Sequence, residues 1–293
     1  MCCAESAEAQ VPSERGGSVF HEEMVDVNGV QLRVAIRPGT GRPLLLFNGV
    51  GANLDLVRPF AEALNDVELI IYDMPGVGGS PPLLIPKRFS GLAAMTVKLL
   101  DTLGYTRPVN VAGVSWGGAM AQQFAIQYPE RTDRLILAAT SAGAVALPAN
   151  PRVLSKMVTP QRYISRNFLL RVAPELYGGL VRRRPDLIGR HAALTQAPSL
   201  RGYVYQLFAG LGWTSVHRLS KLQAPTLVMG GDDDPIMPLV NTRLLYWLIP
   251  KSYMHIVRGG GHLFLVLRAH ESAGVIKRFL SERRYDGTDP QDY

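Results

Sequence analysis

Gly113-Val114-Ser115-Trp116-Gly117 follows a short, mostly apolar run, Val109 to Ala112, and precedes a helix-compatible stretch, Ala119 to Tyr128. A strand that passes into a helix through G-x-S-x-G must reverse within a few residues. Glycines two positions either side of the serine let backbone come close where a side chain would clash. The turn pushes the serine hydroxyl into the open. A bare pentapeptide carries little weight in a chain with 29 glycines in 293 residues. Its placement between strand and helix makes Ser115 a candidate nucleophile.

A serine nucleophile of this kind needs a base and a residue that orients the base, and behind such an elbow the chain order is serine, acid, histidine. Both partners occur in that order. After the apolar run Pro225 to Met229 comes Gly230-Gly231-Asp232-Asp233-Asp234-Pro235, and after Tyr253 to Val257 comes Arg258-Gly259-Gly260-Gly261-His262. The six histidines stand at 21, 191, 217, 255, 262 and 270. His21, His191 and His217 precede the acid, His255 lies inside a strand run and His270 lies well into a closing helix. His262, late and on a strand-end loop, is the expected base. Among the three aspartates, Asp234 precedes Pro235, and its spacing from Gly231 matches G-x-x-D-x-x-x-P, completed by Pro238. Asp234 is therefore the expected acid. Asp232 and Asp233 read as a solvated turn, one of them capping the helix that begins near Pro238. Contiguous aspartates lack the alternate spacing of a calcium loop, so no metal is expected.

Attack on a carbonyl also requires donors aimed at the oxygen that becomes negative. One comes with the elbow, the backbone N–H of Trp116. The second is expected from Asn48-Gly49-Val50-Gly51-Ala52-Asn53, after the strand run Leu44 to Phe47, with the Val50 N–H as candidate; an ordinary tight turn is the bland reading of its glycines. A further glycine-rich loop, Asp73-Met74-Pro75-Gly76-Val77-Gly78-Gly79-Ser80, has the look of a phosphate cradle. It lacks the P-loop lysine and the G-x-G-x-x-G spacing, which argues against a nucleotide.

The chain is 47% hydrophobic and 19% charged, and long enough for one large α/β domain with a smaller insertion. Strand-like runs alternate with helical patterns from 44 to 143 and from 225 to 284, which predicts a mostly parallel sheet covered on both faces. An opening hairpin is expected from Glu23 to Asp26 and Gln31 to Ile36 around Asn28-Gly29. Residues 18–143 and 220–284 form the expected core, and 144–219, helical and interrupted by prolines, the expected lid. That lid carries ten arginines and one lysine against Glu175 and Asp186, so 11 minus 2 gives +9, while the whole chain is +7. Interleaved with aromatics, this face suits an anionic or amphiphilic surface as well as it suits plain solvation. No nucleic-acid module accompanies the charge.

Cys2 and Cys3, the only cysteines, sit in a polar stretch without a signal-peptide core, so neither secretion nor a disulfide framework is expected. No run of about 18 apolar residues predicts a spanning helix. A cytoplasmic protein is expected, with residues 1–17 and 285–293 as polar, disordered tails.

Beyond these motifs the chain resembles the intracellular medium-chain-length poly(3-hydroxyalkanoate) depolymerases. The likeness runs through Phe47 to Leu54, Asp73 to Ser80, Gly113 to Ala125 (GVSWGGAMAQQFA), Tyr177-Gly178-Gly179, Gln206 to Ser215 (QLFAGLGWTS), Gly231 to Pro238 and Gly261 to Leu265. The insertion segment QLFAGLGWTS narrows the choice within a large superfamily. The three glycines before His262 depart from the shorter, more acidic loop of that pattern. The resemblance implies an α/β-hydrolase fold, a mostly parallel eight-stranded sheet with helices on both faces and an inserted helical lid. It implies Ser115, Asp234 and His262 as a catalytic triad without a cofactor, and an aliphatic polyester stored in granules as substrate. Asn48, Tyr177, Phe208 and Trp213 are the candidate substrate contacts, though the aromatic three suit the core of the lid equally well. Three alternatives stay open: a carboxylesterase or lactonase for small esters, a carbon-carbon bond hydrolase of the same superfamily, and a granule-binding module with a vestigial elbow.

Overall fold

A computed structural model describes residues 20–147 and 149–282. The tails expected at 1–17 and 285–293, with Cys2 and Cys3, lie outside the described residues. Eight strands form one sheet: β1 (His21–Val27), β2 (Val30–Arg37), β3 (Thr40–Phe47), β4 (Val67–Tyr72), β5 (Val109–Val114), β6 (Thr132–Ala138), β7 (Thr226–Gly231) and β8 (Ser252–Val257). Their spatial order is β1-β2-β4-β3-β5-β6-β7-β8. β1 with β2 and β2 with β4 pair antiparallel, and every later pairing is parallel. The opening hairpin turns at Asn28 (φ 53°) and Gly29 (φ 81°), the positive dihedrals that a two-residue turn matched to strand twist requires. β3 begins earlier than its apolar run at Leu44, because Thr40 already pairs with Val67 across a register shift. Pro43, which has no N–H to give a ladder, falls within that irregular stretch.

Alternation along the central strands sorts side chains to two cores. Leu45, Phe47, Ile70, Tyr72 and Val111 pack on one face with α2 (Phe89–Thr102) and α3 (Trp116–Gln127). Leu44, Leu46, Leu69, Ile71 and Ala112 pack on the other with α1 (Arg58–Ala63) and α13 (Ala269–Ser281). Such strands, buried on both faces, read as continuous apolar runs such as Leu44-Leu45-Leu46-Phe47.

Between β6 and β7 the chain leaves the sheet and forms α4 (Pro151–Val158), α5 (Gln161–Ile164), α6 (Arg166–Tyr177), α7 (Gly179–Arg183), α8 (Ile188–Leu194), α9 (Leu200–Gly210) and α10 (Val216–Leu219). This insertion has its own apolar centre of Ala149, Val153, Leu169, Val172, Ala173, Leu176, Val181 and Ile188, into which Ile236 of the loop after β7 also packs. Among the described residues α11 (Leu239–Leu248) and the short α12 (Phe264–Leu267) complete the α-helices. Among the described residues no helix is long and apolar enough to cross a membrane. The loops after β3, β5, β7 and β8 all leave from the carboxyl ends of parallel strands, the edge where open α/β sheets gather their ligand sites.

Candidate active site

Ser115 has φ 56° and ψ −119°, a conformation that L-residues avoid, at the junction of β5 and α3. Holding a non-glycine residue there costs on the order of 1–3 kcal/mol, so the surroundings must over-determine it. They do so with backbone. The Ser115 N–H donates to the Ala138 carbonyl at 2.9 Å, while its own carbonyl accepts from the Thr140 hydroxyl at 2.7 Å and from the Gly118 N–H at 2.9 Å. A Cβ on Gly113 would stand 2.1 Å from the Gly117 carbonyl oxygen, and one on Gly117 would stand 2.2 Å from that of Phe47. Both glycines are therefore steric requirements of the turn.

The three aspartates after β7 have three different partners. Asp234 Oδ2 lies 2.8 Å from His262 Nδ1, and its Oδ1 accepts from the Ile236 and Met237 amides at 2.8 and 2.9 Å. Both side chains are nearly sealed from solvent, with Asp234 at 6% and His262 at 8% exposure. Asp232 accepts from the Gly259 amide at 2.5 Å, which closes the glycine loop before His262. Asp233 accepts from the Gly179 amide at 2.8 Å and pairs with Arg182, both in α7. Neither caps the helix after Pro238, the role the sequence assigns to one of them; among the described residues α11 begins without a side-chain cap. The two carboxylates are drawn instead to amides that tertiary packing brings alongside.

The Arg258 to His262 loop is held by backbone contact. The His262 N–H donates to the Tyr177 carbonyl at 2.8 Å, and the Asp233 N–H donates to the Gly260 carbonyl at 2.9 Å. A Cβ on Gly261 would meet that same Tyr177 oxygen at 2.1 Å, and one on Gly179 would meet the Gly261 nitrogen at 2.2 Å. The glycines of the loop thus allow the insertion to lie directly on it.

Asn48, Gly49, Val50, Ser115 and His262 line one cavity, which encloses about 670 Å³ of atom-free space, mouth included. Leu56, Val57, Val114, Ile236, Leu263, Leu265 and Val266 make its apolar wall; Met157, Arg162, Tyr163, Tyr177 and His191 close it from the insertion. The Asn48 side chain is spent on its own loop, accepting from the Gly49 amide at 2.9 Å and donating to the Asn53 carbonyl at 2.8 Å. Among the described residues the amides of Val50 and Trp116 donate to no protein acceptor, which leaves both able to serve an oxyanion.

Of the four candidate substrate contacts, Asn48 and Tyr177 are brought to the cavity and Phe208 and Trp213 are not. Phe208 sits on the outer side of α9 beneath the Arg88 guanidinium, 5.2 Å from its ring centre. Trp213 packs on Phe89 and donates its indole N–H to Gln123 at 2.9 Å, under the opposite side of the elbow helix. Sequence reasoning missed Met157, Arg162, Tyr163 and His191, because helical periodicity does not tell which face of a short insertion helix turns toward the sheet. The Asp73 to Ser80 loop is closed to a phosphate for a physical reason. Its own Asp73 carboxylate takes the Gly79 and Leu54 amides at 2.9 and 2.7 Å and lies 3.4 Å from Arg33.

Two outcomes follow. Gly117→Ala forces a methyl into the Phe47 carbonyl, and overpacking of this kind costs about 1–3 kcal/mol. Calorimetry should show the melting temperature falling by roughly 2–12 °C, since each kcal/mol is worth about 2–4 °C in a chain of this order of size. Among the described residues nothing partners the buried Nδ1 of His191, and burial lowers its pKa from 6.5 to about 4. The unfolded chain then binds the extra proton between those values, so stability is full above about pH 6.5 and declines toward pH 4. Chemical denaturation across that window should show a shallower decline in His191→Gln.

An alpha/beta hydrolase fold family model matches residues 42–269. The chain is 53% identical to the poly(3-hydroxyalkanoate) depolymerase of Ectopseudomonas oleovorans, over 89% of this chain and 92% of that one. It is 28% identical to the 2-hydroxy-6-oxo-6-phenylhexa-2,4-dienoate hydrolase of Comamonas testosteroni, over 84% and 90%. Among solved structures the enol-lactonase from Burkholderia xenovorans LB400 superposes with a TM-score of 0.76 at 22% identity, covering 89% of this chain and all of that one. With a family model over most of its length and a relative of this identity along nearly all of it, the chain belongs to the alpha/beta hydrolase fold family and, within it, to the poly(3-hydroxyalkanoate) depolymerases.

Proposed function

We propose that this chain is a serine hydrolase of the ester bonds of medium-chain-length poly(3-hydroxyalkanoate), with Ser115 as nucleophile, His262 as base and Asp234 as its orienting acid. The observation that carries the mechanism is the buried 2.8 Å pair of Asp234 and His262, whose imidazole lines the same cavity as a serine on a strained elbow. Ser115 adds to the ester carbonyl as His262 Nε2 takes its proton; the tetrahedral oxyanion is met by the Val50 and Trp116 amides. Collapse releases the alcohol end of the chain, which receives the proton from His262, and leaves an acyl-enzyme. Water activated by the same imidazole then frees the hydroxy acid or a short oligomer. Asp234 keeps the proton-bearing Nδ1 turned toward itself, so Nε2 faces the serine, and its charge stabilises the imidazolium.

The apolar wall of Leu56, Val57, Ile236, Leu263, Leu265 and Val266 suits an aliphatic chain. The insertion acts as a lid, and the protein works in the cytoplasm on the surface of a storage granule. An exposed apolar stripe supports that last point: Leu200, Val204 and Phe208 recur along the outer face of α9, Leu211 follows just past its end, and Leu84 and Ile85 stand out from the loop before α2. Leu84 is 86% and Leu200 68% exposed. Loop and helix are tied together, by the Tyr205 hydroxyl on the Leu84 carbonyl and by Arg88 on the carbonyls of Phe208 and Leu211. A rigid apolar ridge of this kind fits a hydrophobic polymer surface better than free solvent.

The decisive assay follows release of 3-hydroxy acids from purified medium-chain granules, beside short-chain granules and a p-nitrophenyl ester. Wild type should release acid from medium-chain granules, and Ser115→Ala should release none. Ester cleavage without granule release would leave an esterase or lactonase in place of a depolymerase. Activity on a conjugated dienone acid alone would mark a carbon-carbon bond hydrolase. The ridge has its own readout: Leu84→Glu/Leu200→Glu should lose most of its sedimentation with granules while cleaving the soluble ester at the wild-type rate.

A further inference from the structure

The peptide unit that joins Val50 to Gly51 is gripped at both ends by the insertion. The Tyr163 hydroxyl, from α5, donates to the Val50 carbonyl at 2.6 Å, and Gln206 Oε1, from α9, accepts from the Gly51 N–H at 2.6 Å. Gln206 reaches the other half of the candidate oxyanion hole as well, because its backbone carbonyl accepts the Trp116 indole N–H at 2.9 Å. The loop so held is a β-turn in which the Ala52 N–H donates to the Gly49 carbonyl at 3.1 Å and Gly51 has φ +71°. Positive φ at the third residue marks a type II turn, which differs from type I by the orientation of its central peptide. That central peptide is the one Tyr163 and Gln206 hold.

The grip itself is rigid. The Arg162 guanidinium lies over the Tyr163 ring at 4.5 Å, Tyr203 meets that ring edge-on at 6.2 Å, and Gln206 is 4% exposed. A side chain on Gly51 would meet the rings of Tyr163 and Tyr203 at 2.8 and 2.9 Å, so the turn fits beneath the insertion only as glycine.

We propose that Tyr163 and Gln206 are positioning residues: by holding the Val50–Gly51 peptide they fix the turn, and with it the adjoining Gly49–Val50 peptide, so that the Val50 N–H joins that of Trp116 in facing the substrate carbonyl beside the Ser115 hydroxyl only while the insertion is docked. This rests on the serine-hydrolase reading above. Neither residue exchanges a proton with the substrate. Each acts on the energy of the tetrahedral anion through the loop that presents the Val50 amide. The contribution of such a donor depends on its aim more than its presence, since hole donors must stand within about 3 Å of the oxygen in its transition-state position.

The test is kinetic, on the full chain, with Tyr163→Phe, Gln206→Leu and Ser115→Ala. Substrate is p-nitrophenyl octanoate, and the tetrahedral probe is an alkylboronic acid, which adds to the serine as an anion that occupies the hole. Each positioning variant should lose about tenfold in kcat with KM within about twofold of wild type. Boronate affinity should fall in step with kcat, while inhibition by octan-1-ol, an uncharged ligand with no carbonyl or carboxylate oxygen to place in the hole, stays unchanged. Melting temperatures and circular dichroism separate misfolding from mispositioning, and Gln206→Leu carries the test if Tyr163→Phe does not fold. A rise in KM with kcat and boronate affinity intact would overturn the proposal and make both residues ground-state substrate contacts. Activity surviving in Ser115→Ala would sink the underlying reading; an inert Ser115→Ala beside fully active Tyr163→Phe and Gln206→Leu would sink the positioning role alone.

Discussion

Backbone approaches backbone at the crossing of the elbow with the loop after β3, and the rest of the site depends on that contact. Gly117 lies so near the Phe47 and Asn48 carbonyls that no side chain fits between them. The closeness sets the strained serine beside the turn that carries Val50, and the strain at Ser115 is sustained by hydrogen bonds from β6 and the residues after it. Side-chain contacts could not fix two loops so tightly, because each has rotamers to change. Peptide against peptide leaves little freedom.

The same device recurs at the other side of the cavity. Gly178-Gly179 of the insertion lies on the Asp233 carbonyl and on Gly260-Gly261, and Tyr177 receives the His262 amide. Asp232 and Asp233 pin the flanking amides, which leaves Asp234 to the imidazole alone among the three. A histidine loop with three glycines would wander if left exposed, since glycine is the residue with most freedom to lose. Here the insertion removes that freedom. The helices over the sheet thereby contact the candidate base, the candidate oxyanion loop and the cavity wall together.

Much of the site could be read from residue order because it consists of strand ends. Ser115, Asp234 and His262 each follow an apolar run whose length and punctuation mark a parallel strand, and parallel strands bring their carboxyl ends to one edge whatever lies between them. The Asp73 to Ser80 loop shows where such reading stops. Its glycines suggest a cradle, but whether amides are open to a ligand or already taken by a neighbouring carboxylate depends on an aspartate side chain folding back, which spacing does not encode. The aromatic residues of the insertion were equally opaque: Tyr163 and Tyr177 reach the cavity, whereas Phe208 and Trp213, of the same chemical type, face outward or under the elbow.

The sequence by itself determined the sheet, its order of chemistry along the chain and the identity of the candidate nucleophile, acid and base, because these rest on local rules: alternation, turn glycines and strand-end position. Only the tertiary structure decided which helical faces turn inward, that His191 and Arg162 wall the cavity, that Asp232 and Asp233 bind amides far away in sequence, and that Tyr163 and Gln206 grip the loop beside Ser115. The physical reason is distance along the chain. A hydrogen bond between residues 27 to 155 positions apart leaves no periodicity behind, and it forms only when the chain has packed.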